Sequence, residues 1–421
     1  MTFQPFQRRP IAALNAAGRL LARRGVTVDL GADALRRRAT AATGLPWPDD
    51  PAVDEALDVL TSSIIDEAHL SFFGSLVIRA RLHGLLTTRL RVAALVAAHP
   101  EITETPIEPP IVIAGLQRSG TTMLHRLIAA DPDVRTVQSW EVVHLLPGKR
   151  EKPGRPRLRI AQTRAAEWAL RYLNPRFFAI HAVEADGPEE DVLLQEYSLL
   201  SQVPEAMLRV PSYARWLAGQ DMHASYEYLK LLLQVLARQD HRPRWVLKTP
   251  AHLEHLDVLL DVFPDAVIVQ THRDPVRTTA SFSSMLAHGH SMFSDEVDAE
   301  AVARHWLARN VDMVNRALDV RERRPEVFLD VRYDDLVADP MAQVARIYDA
   351  AGFPLTDEVR SEMAEHRESH AQHAHGVHRY SLAEFGLTED EVSRAYARYR
   401  SYFPTTADPP AEPPRAPQGE G

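Results

Sequence analysis

The sequence predicts an α/β fold in three layers, with a central parallel sheet covered by helices and an N-terminal helical extension. Three observations predict it. Short β-branched runs alternate with helical spacing from Ile111 onward. A glycine-bearing turn after the first run opens a helix at Thr121. Before Pro106 the chain shows amphipathic helical spacing and no strand pattern. Strands alternating with helices imply parallel pairing through crossover helices.

The elements follow in order. Residues 11–98 read as mostly helical, with apolar repeats at Leu20 and Leu21, at Ala56 to Leu60 and at Leu76 to Leu95. This region, 1–105, is expected to be a helical subdomain that packs against the rest or serves as a substrate lid. Pro109 and Pro110 then lead into Ile111-Val112-Ile113-Ala114, a buried strand. Further strands are expected at Trp245 to Leu247, Ala266 to Gln270 and Val327 to Leu329, with helices at Tyr226 to Arg238 and Leu253 to Val262 between them. The main domain is placed at 106–403, with a helical insertion at about 150–240. The basic stretch Lys149 to Arg159, broken by Pro153, Gly154 and Pro156, reads as an exposed loop before a helix. Residues 404–421 are rich in Pro and Ala without periodicity and read as a disordered tail.

Composition narrows the function. The chain has no cysteine, which removes disulfides, thiolate metal sites and a cysteine nucleophile. Its opening, MTFQPFQRRP, has no leader-like apolar run, and no run elsewhere is long enough to span a bilayer. A cytoplasmic location is expected. The net charge of -9 opposes general nucleic-acid binding, which needs a basic surface. A small anionic ligand needs only a local cluster of positive groups.

Such a cluster stands at Gly115-Leu116-Gln117-Arg118-Ser119-Gly120-Thr121-Thr122. A glycine loop opening a helix directs backbone N–H groups and the positive end of the helix dipole at one anion. Gln117, Arg118, Ser119, Thr121 and Thr122 add side-chain donors. The spacing is P-loop-like, but Thr121 stands where a nucleotide triphosphatase has its lysine. No strand ends in a metal-binding aspartate either, since Val267 to Val269 runs on to His272 and Arg273. A P-loop kinase or phosphotransferase using ATP is therefore the alternative reading. A second anion element is Arg273 at a strand end, followed by Pro275 and, two helical turns in, Ser281. Strand C-termini border the crevice where open α/β sheets bind ligands.

These residues resemble those of sulfotransferases that use 3′-phosphoadenosine-5′-phosphosulfate (PAPS). The Arg118-Ser119-Gly120-Thr121-Thr122 core is similar to the 5′-phosphosulfate loop of tyrosylprotein sulfotransferases and a broad bacterial branch. The segment Thr271 to Ser281, with Arg273 and Ser281 eight apart, resembles the family's 3′-phosphate element. Weaker likenesses are Leu247-Lys248-Thr249-Pro250, Val331-Arg332-Tyr333-Asp334-Asp335-Leu336, and His378 to Leu387. The resemblance covers roughly Ile111 to Leu387. It implies a transferase that moves a sulfonate from PAPS to a hydroxyl or amine, with the bisphosphate PAP as product and no metal. It also implies a contact from Arg379 to the nucleotide and a place for Lys248 beside the transferring sulfonate.

The base is open between Glu141 and His252. Glu141 lies about two residues from the position of the tyrosylprotein sulfotransferase base, and other branches use histidine. The acidic run Glu189-Glu190-Asp191 reads either as an acceptor entrance or as a solvated loop. The histidines at 366, 370, 373, 375 and 378 lack a well-placed carboxylate, and no metal site is expected. The acceptor is expected to be a small molecule, lipid or sugar. Oligomeric state is left open, a homo-oligomer included.

Overall fold

A computed structural model describes residues 6–148, 151–152, 154–180, 184–369 and 381–404. Its centre is a five-stranded parallel sheet: β1 (Ile111–Gly115), β2 (Val134–Arg135), β3 (Arg244–Lys248), β4 (Val267–His272) and β5 (Phe328–Arg332). The spatial order is β2-β3-β1-β4-β5. β1 therefore lies in the middle and pairs with β3 on one side and β4 on the other. The expected strands are present with slightly different ends. β4 and β5 run to His272 and Arg332, because pairing with a neighbour extends a strand past its apolar run.

Alternation along β1 explains the three layers. Ile111 and Ile113 join one hydrophobic cluster with Leu124, Val246, Val269, Val331, Leu336 and Ile347. Val112 and Ala114 join another with Leu247 and Ile268. Successive side chains of a strand point to opposite faces, so a strand covered on both faces must be apolar throughout. β1 is buried at every residue.

The N-terminal helices Arg9–Ala22, Ala32–Thr43, Pro51–Glu67 and Phe72–Ala98 precede β1. Leu35, Leu57, Leu82 and Leu86 belong to the same core cluster as Leu247 and Ile268. Arg81 of the last of these helices forms a salt bridge with Glu196 of the segment between β2 and β3. This region thus shares its core with the sheet. Between β2 and β3 the chain is helical, including Arg157–Leu173, Val203–Met207 and His223–Ala237. The expected helix over 253–262 is divided: a 3-10 turn at Pro250–Glu254 gives way to a helix at Leu256–Val262.

Among the described residues no helix is long and apolar enough to cross a membrane. His370, His373, His375, His378, Arg379 and the segment after Pro404 lie outside the described residues. Among the described ones, no group of three or more His, Asp or Glu residues is arranged to hold a metal.

Candidate active site

The loop after β1 is built by backbone geometry that few residues tolerate. Gly120 precedes the helix Thr121–Ile128 with φ of 98°, and Arg118 itself takes a φ of 70°. A non-glycine residue at positive φ is strained and persists where its surroundings demand it. Gly115 is needed for a different reason: a Cβ there would lie 2.1 Å from Thr271 Oγ1 on β4. Ser119 locks the loop from beneath. It is fully buried, and its Oγ lies 2.6 Å from Thr271 Oγ1 and donates to the Leu116 carbonyl at 2.5 Å. Its hydroxyl therefore holds loop to strand instead of facing a ligand. Gln117 is half-buried, Thr121 is buried, and Arg118 and Thr122 are exposed at the helix start.

The second anion element lies against this loop. Arg273 Nη1 donates to the Arg118 carbonyl at 3.1 Å, and Arg118 Nε donates to Ser281 Oγ at 3.1 Å. The Arg273 guanidinium sits 3.8 Å from the centre of the Tyr333 ring. A Cβ on Gly120 would lie 3.1 Å from that same ring, so Tyr333 touches both halves of the cluster. Asp274 caps the helix Pro275–His290 by accepting from the Val276 amide at 3.2 Å. His272 anchors the strand end: its Nε2 lies 2.8 Å from Asp330, and its ring stacks on Phe403 at 3.7 Å.

Lys248 closes the third side. It ends β3 in register with Ile113, while Gly115 pairs with Thr271 just before Arg273. Lys248, the loop and Arg273 therefore stand at the C-terminal ends of three adjacent strands, and two strand spacings span roughly 10 Å. Lys248 Nζ donates to Glu190 Oε1 at 2.7 Å, and Thr249 Oγ1 donates to Glu190 Oε2 at 3.1 Å. The Lys248 side chain is only 3% exposed, against 23% for Glu190. Burial, with the Lys248 charge adding to it, pushes the nearby His125 imidazole down to about 3.

The two residues read as rival bases are placed otherwise. Glu141 is 1% exposed and forms a salt bridge with Arg135, which is equally buried beneath the Trp245 ring. It also accepts from the Gln138 amide at 3.0 Å, completing the capping box of the helix Ser139–Val143. Both of its oxygens are thus held within the fold, one by Arg135 and one by the helix start. His252 is 0% exposed, with Nδ1 2.9 Å from the Tyr226 hydroxyl and Nε2 2.9 Å from Asp191 Oδ2. Thr249 caps the turn that carries His252 and directs the ring inward. Asp191 Oδ1 also accepts from the Lys248 amide at 2.8 Å. Burial alone would raise the Asp191 carboxyl, but the imidazole and the amide hold it below its ordinary range.

Residues 109–357 match the model of the sulfotransferase family. The chain belongs to that family. The sulfotransferase has a TM-score of 0.80 to the crystal structure of sulfotransferase STF9 from Mycobacterium avium, at 30% identity over 89% of this chain and 97% of that one. Sulfotransferase STF1 from Mycobacterium tuberculosis gives 0.76, at 35% identity over 87% and 98%. Among curated proteins, the omega-hydroxy-beta-dihydromenaquinone-9 sulfotransferase Stf3 of Mycobacterium bovis is 25% identical over 323 residues, which is 71% of this chain and 77% of that protein. The alternative of an ATP-dependent kinase is set aside by these matches. As an enzyme, the sulfotransferase has the expected parallel-sheet fold, and the loop after β1, Arg273 and Lys248 stand at the C-terminal ends of its three central strands.

Three of the sulfotransferase's residues escaped sequence reasoning. Glu190 stood in an acidic run that read equally well as solvated loop, and its partner Lys248 is 58 positions away. Tyr333 belonged to a weak motif and gained meaning only from the Arg273 guanidinium above it. Arg135 carried one readable signal, an arginine six positions before Glu141 beside the buried Val134 and Val137.

Proposed function

We propose that the protein transfers a sulfonate from PAPS to a hydroxyl group of a lipid-like or other small acceptor, with Glu190 as the base. The observation that carries this is the Arg118–Ser281–Arg273 cluster, where two anion elements from β1 and β4 meet within hydrogen-bonding distance. The donor set fits a nucleotide bearing phosphate at both its 3′ and 5′ positions. The amides from Gly120 to Thr122 and the Arg118 side chain suit the 5′-phosphosulfate. Arg273 and Ser281 suit the 3′-phosphate, with Tyr333 holding the guanidinium plane.

The bound donor supplies a sulfonate whose bond to the 5′-phosphate oxygen breaks as the acceptor oxygen bonds to sulfur. Negative charge grows on the leaving phosphate, and Lys248 and Arg118 stand on either side of β1's end to balance it. Each such donor is worth about 3 kcal/mol of barrier. Glu190 takes the acceptor proton. It is the carboxylate in contact with Lys248, and it keeps partial access to solvent, which Glu141 lacks. The buried Asp191–His252–Tyr226 chain positions it, because Asp191 fixes the neighbouring residue to the end of β3. Lipid acceptors are favoured by the likeness to Stf3, an omega-hydroxy-beta-dihydromenaquinone-9 sulfotransferase.

The test is incubation with isotope-labelled PAPS and a bacterial lipid extract, followed by mass spectrometry for the sulfonate mass gain. Lys248→Ala is expected to abolish transfer while PAP still binds. A variant that keeps full activity would remove Lys248 from the mechanism.

A further inference from the structure

Surface helices of a water-soluble protein turn polar residues outward. The first helix, Arg9–Ala22, turns apolar residues outward among its arginines. Its inward face is Asn15 and Gly18, both buried. Its outward side carries Ala13, Ala16 and Ala17, with Leu20 at 60% exposure and Leu14 and Leu21 beside it. The charges from Phe6 to Gly25 are Arg8, Arg9, Arg19, Arg23 and Arg24, with no acidic residue among them, although Asp295 from elsewhere in the chain pairs with Arg19 at 3.1 Å. This stands out in a chain whose net charge is -9.

A second helix, Arg157–Leu173, has the same character. Leu158 is 67% and Trp168 69% exposed, and Trp168 stacks flat on Tyr172 with ring centres 5.8 Å apart. Arg157, Arg164, Trp168, Arg171 and Tyr172 follow one outward stripe at helical spacing, and all are exposed. Its one acidic residue, Glu167, accepts from the Ala185 amide at 3.0 Å, and Arg164 pairs with Asp186 at 2.7 Å, which leaves Arg157 and Arg171 as the stripe's other cations. The helices are joined where they meet. Arg8 Nε donates to the Tyr172 carbonyl at 2.8 Å, and its guanidinium lies between the Tyr172 and Phe6 rings at 4.8 and 5.1 Å.

Exposed leucine, tryptophan and tyrosine ringed by arginine is the composition of a surface that lies in a lipid headgroup layer. We propose that these two helices seat the protein on an anionic membrane surface. The sign of the charge decides the occupant. A second copy of this face would set arginines against arginines, whereas anionic headgroups neutralise them. The placement suits such a role, because Glu167 ties the second helix to Ala185, a few residues before Glu190. A lipid headgroup held at this face would stand near the segment that carries the proposed base.

The test uses the full chain and vesicles of phosphatidylcholine, with and without an equal part of phosphatidylglycerol, in a sedimentation assay. The protein is expected to sediment with the mixed vesicles and to stay in solution with phosphatidylcholine alone. Arg23→Ser with Arg24→Ser is expected to weaken partitioning about 25-fold at low salt. Trp168→Ser with Tyr172→Ser is expected to abolish it. Circular dichroism and PAP affinity should stay unchanged in both variants, because these side chains are exposed and separate from the nucleotide cluster. Failure to bind mixed vesicles, equal binding to both kinds, or full binding by the double variants would overturn the proposal. So would a solution dimer that these substitutions break apart.

Discussion

Glutamine at position 190 separates the chemical role of that carboxylate from its structural one. Glu190 accepts from Lys248 Nζ at 2.7 Å and from Thr249 Oγ1 at 3.1 Å. Glu190→Gln keeps the shape and one accepting oxygen but cannot take a proton. General-base work is worth roughly 10²–10⁴ in rate, so kcat is expected to fall by that factor while PAP affinity stays unchanged. Turning the bond to the buried ammonium from charged to neutral costs about 1–1.5 kcal/mol of folding stability. Glu141→Gln makes the control. It breaks a fully buried ion pair with Arg135, which costs about 3–5 kcal/mol of stability. The folded fraction should then keep its kcat. The assay is steady-state transfer from labelled PAPS on each variant, alongside urea unfolding. A fully active Glu190→Gln, or a stable but inactive Glu141→Gln, would refute the reasoning.

Gly115→Ala is expected to destabilise the fold by about 1–3 kcal/mol and to weaken PAP binding, because the new methyl meets Thr271 Oγ1 at 2.1 Å. Thermal unfolding and calorimetry check both effects. Stability should also fall with acid below neutrality. Burial depresses His125 to about 3 and His290 to about 4, whereas the unfolded chain titrates near its ordinary 6.5. Both folded values lie below the unfolded one, so the unfolded state gains protons first. The stability is complete above 6.5 and is lost as pH falls toward 3. Each group contributes a slope of about 1.4 kcal/mol per pH unit within that window. His290→Gln should flatten the slope measured by urea unfolding between pH 6 and pH 4 (roughly, the window the two histidines share).

Much of the fold was legible because its signals are local. The all-apolar run of β1, the glycine turn after it and the Arg273–Ser281 spacing each lie within a dozen residues and depend on backbone rules. The contact between Glu190 and Lys248 was not legible, for the opposite reason. Glu190 and Lys248 meet only because helices between β2 and β3 fold the acidic run back onto the end of β3, and no spacing records that return. Glu141 offered a second, local signal: Gln138 and Glu141 stand three apart at a helix start, a capping pattern that competes with a catalytic reading. His252 has the chemistry of a base and is fully buried. Burial is a property of the packed core, and a histidine after Thr249-Pro250-Ala251 carries no sign of it. Ser119 adds a contact that no motif records, the fastening of the loop's hydroxyl to β4.

The claim that one nucleotide bridges the Gly120 loop and the Arg273–Ser281 pair is tested most directly by calorimetry with two ligands. Adenosine 3′,5′-bisphosphate and adenosine 5′-monophosphate differ only at the group assigned to Arg273 and Ser281. The bisphosphate is expected to bind about 10- to 100-fold tighter, and Arg273→Ala should erase that difference while leaving the monophosphate unaffected. Equal affinity for the two ligands in the unaltered protein, or a preference that survives Arg273→Ala, would contradict the account.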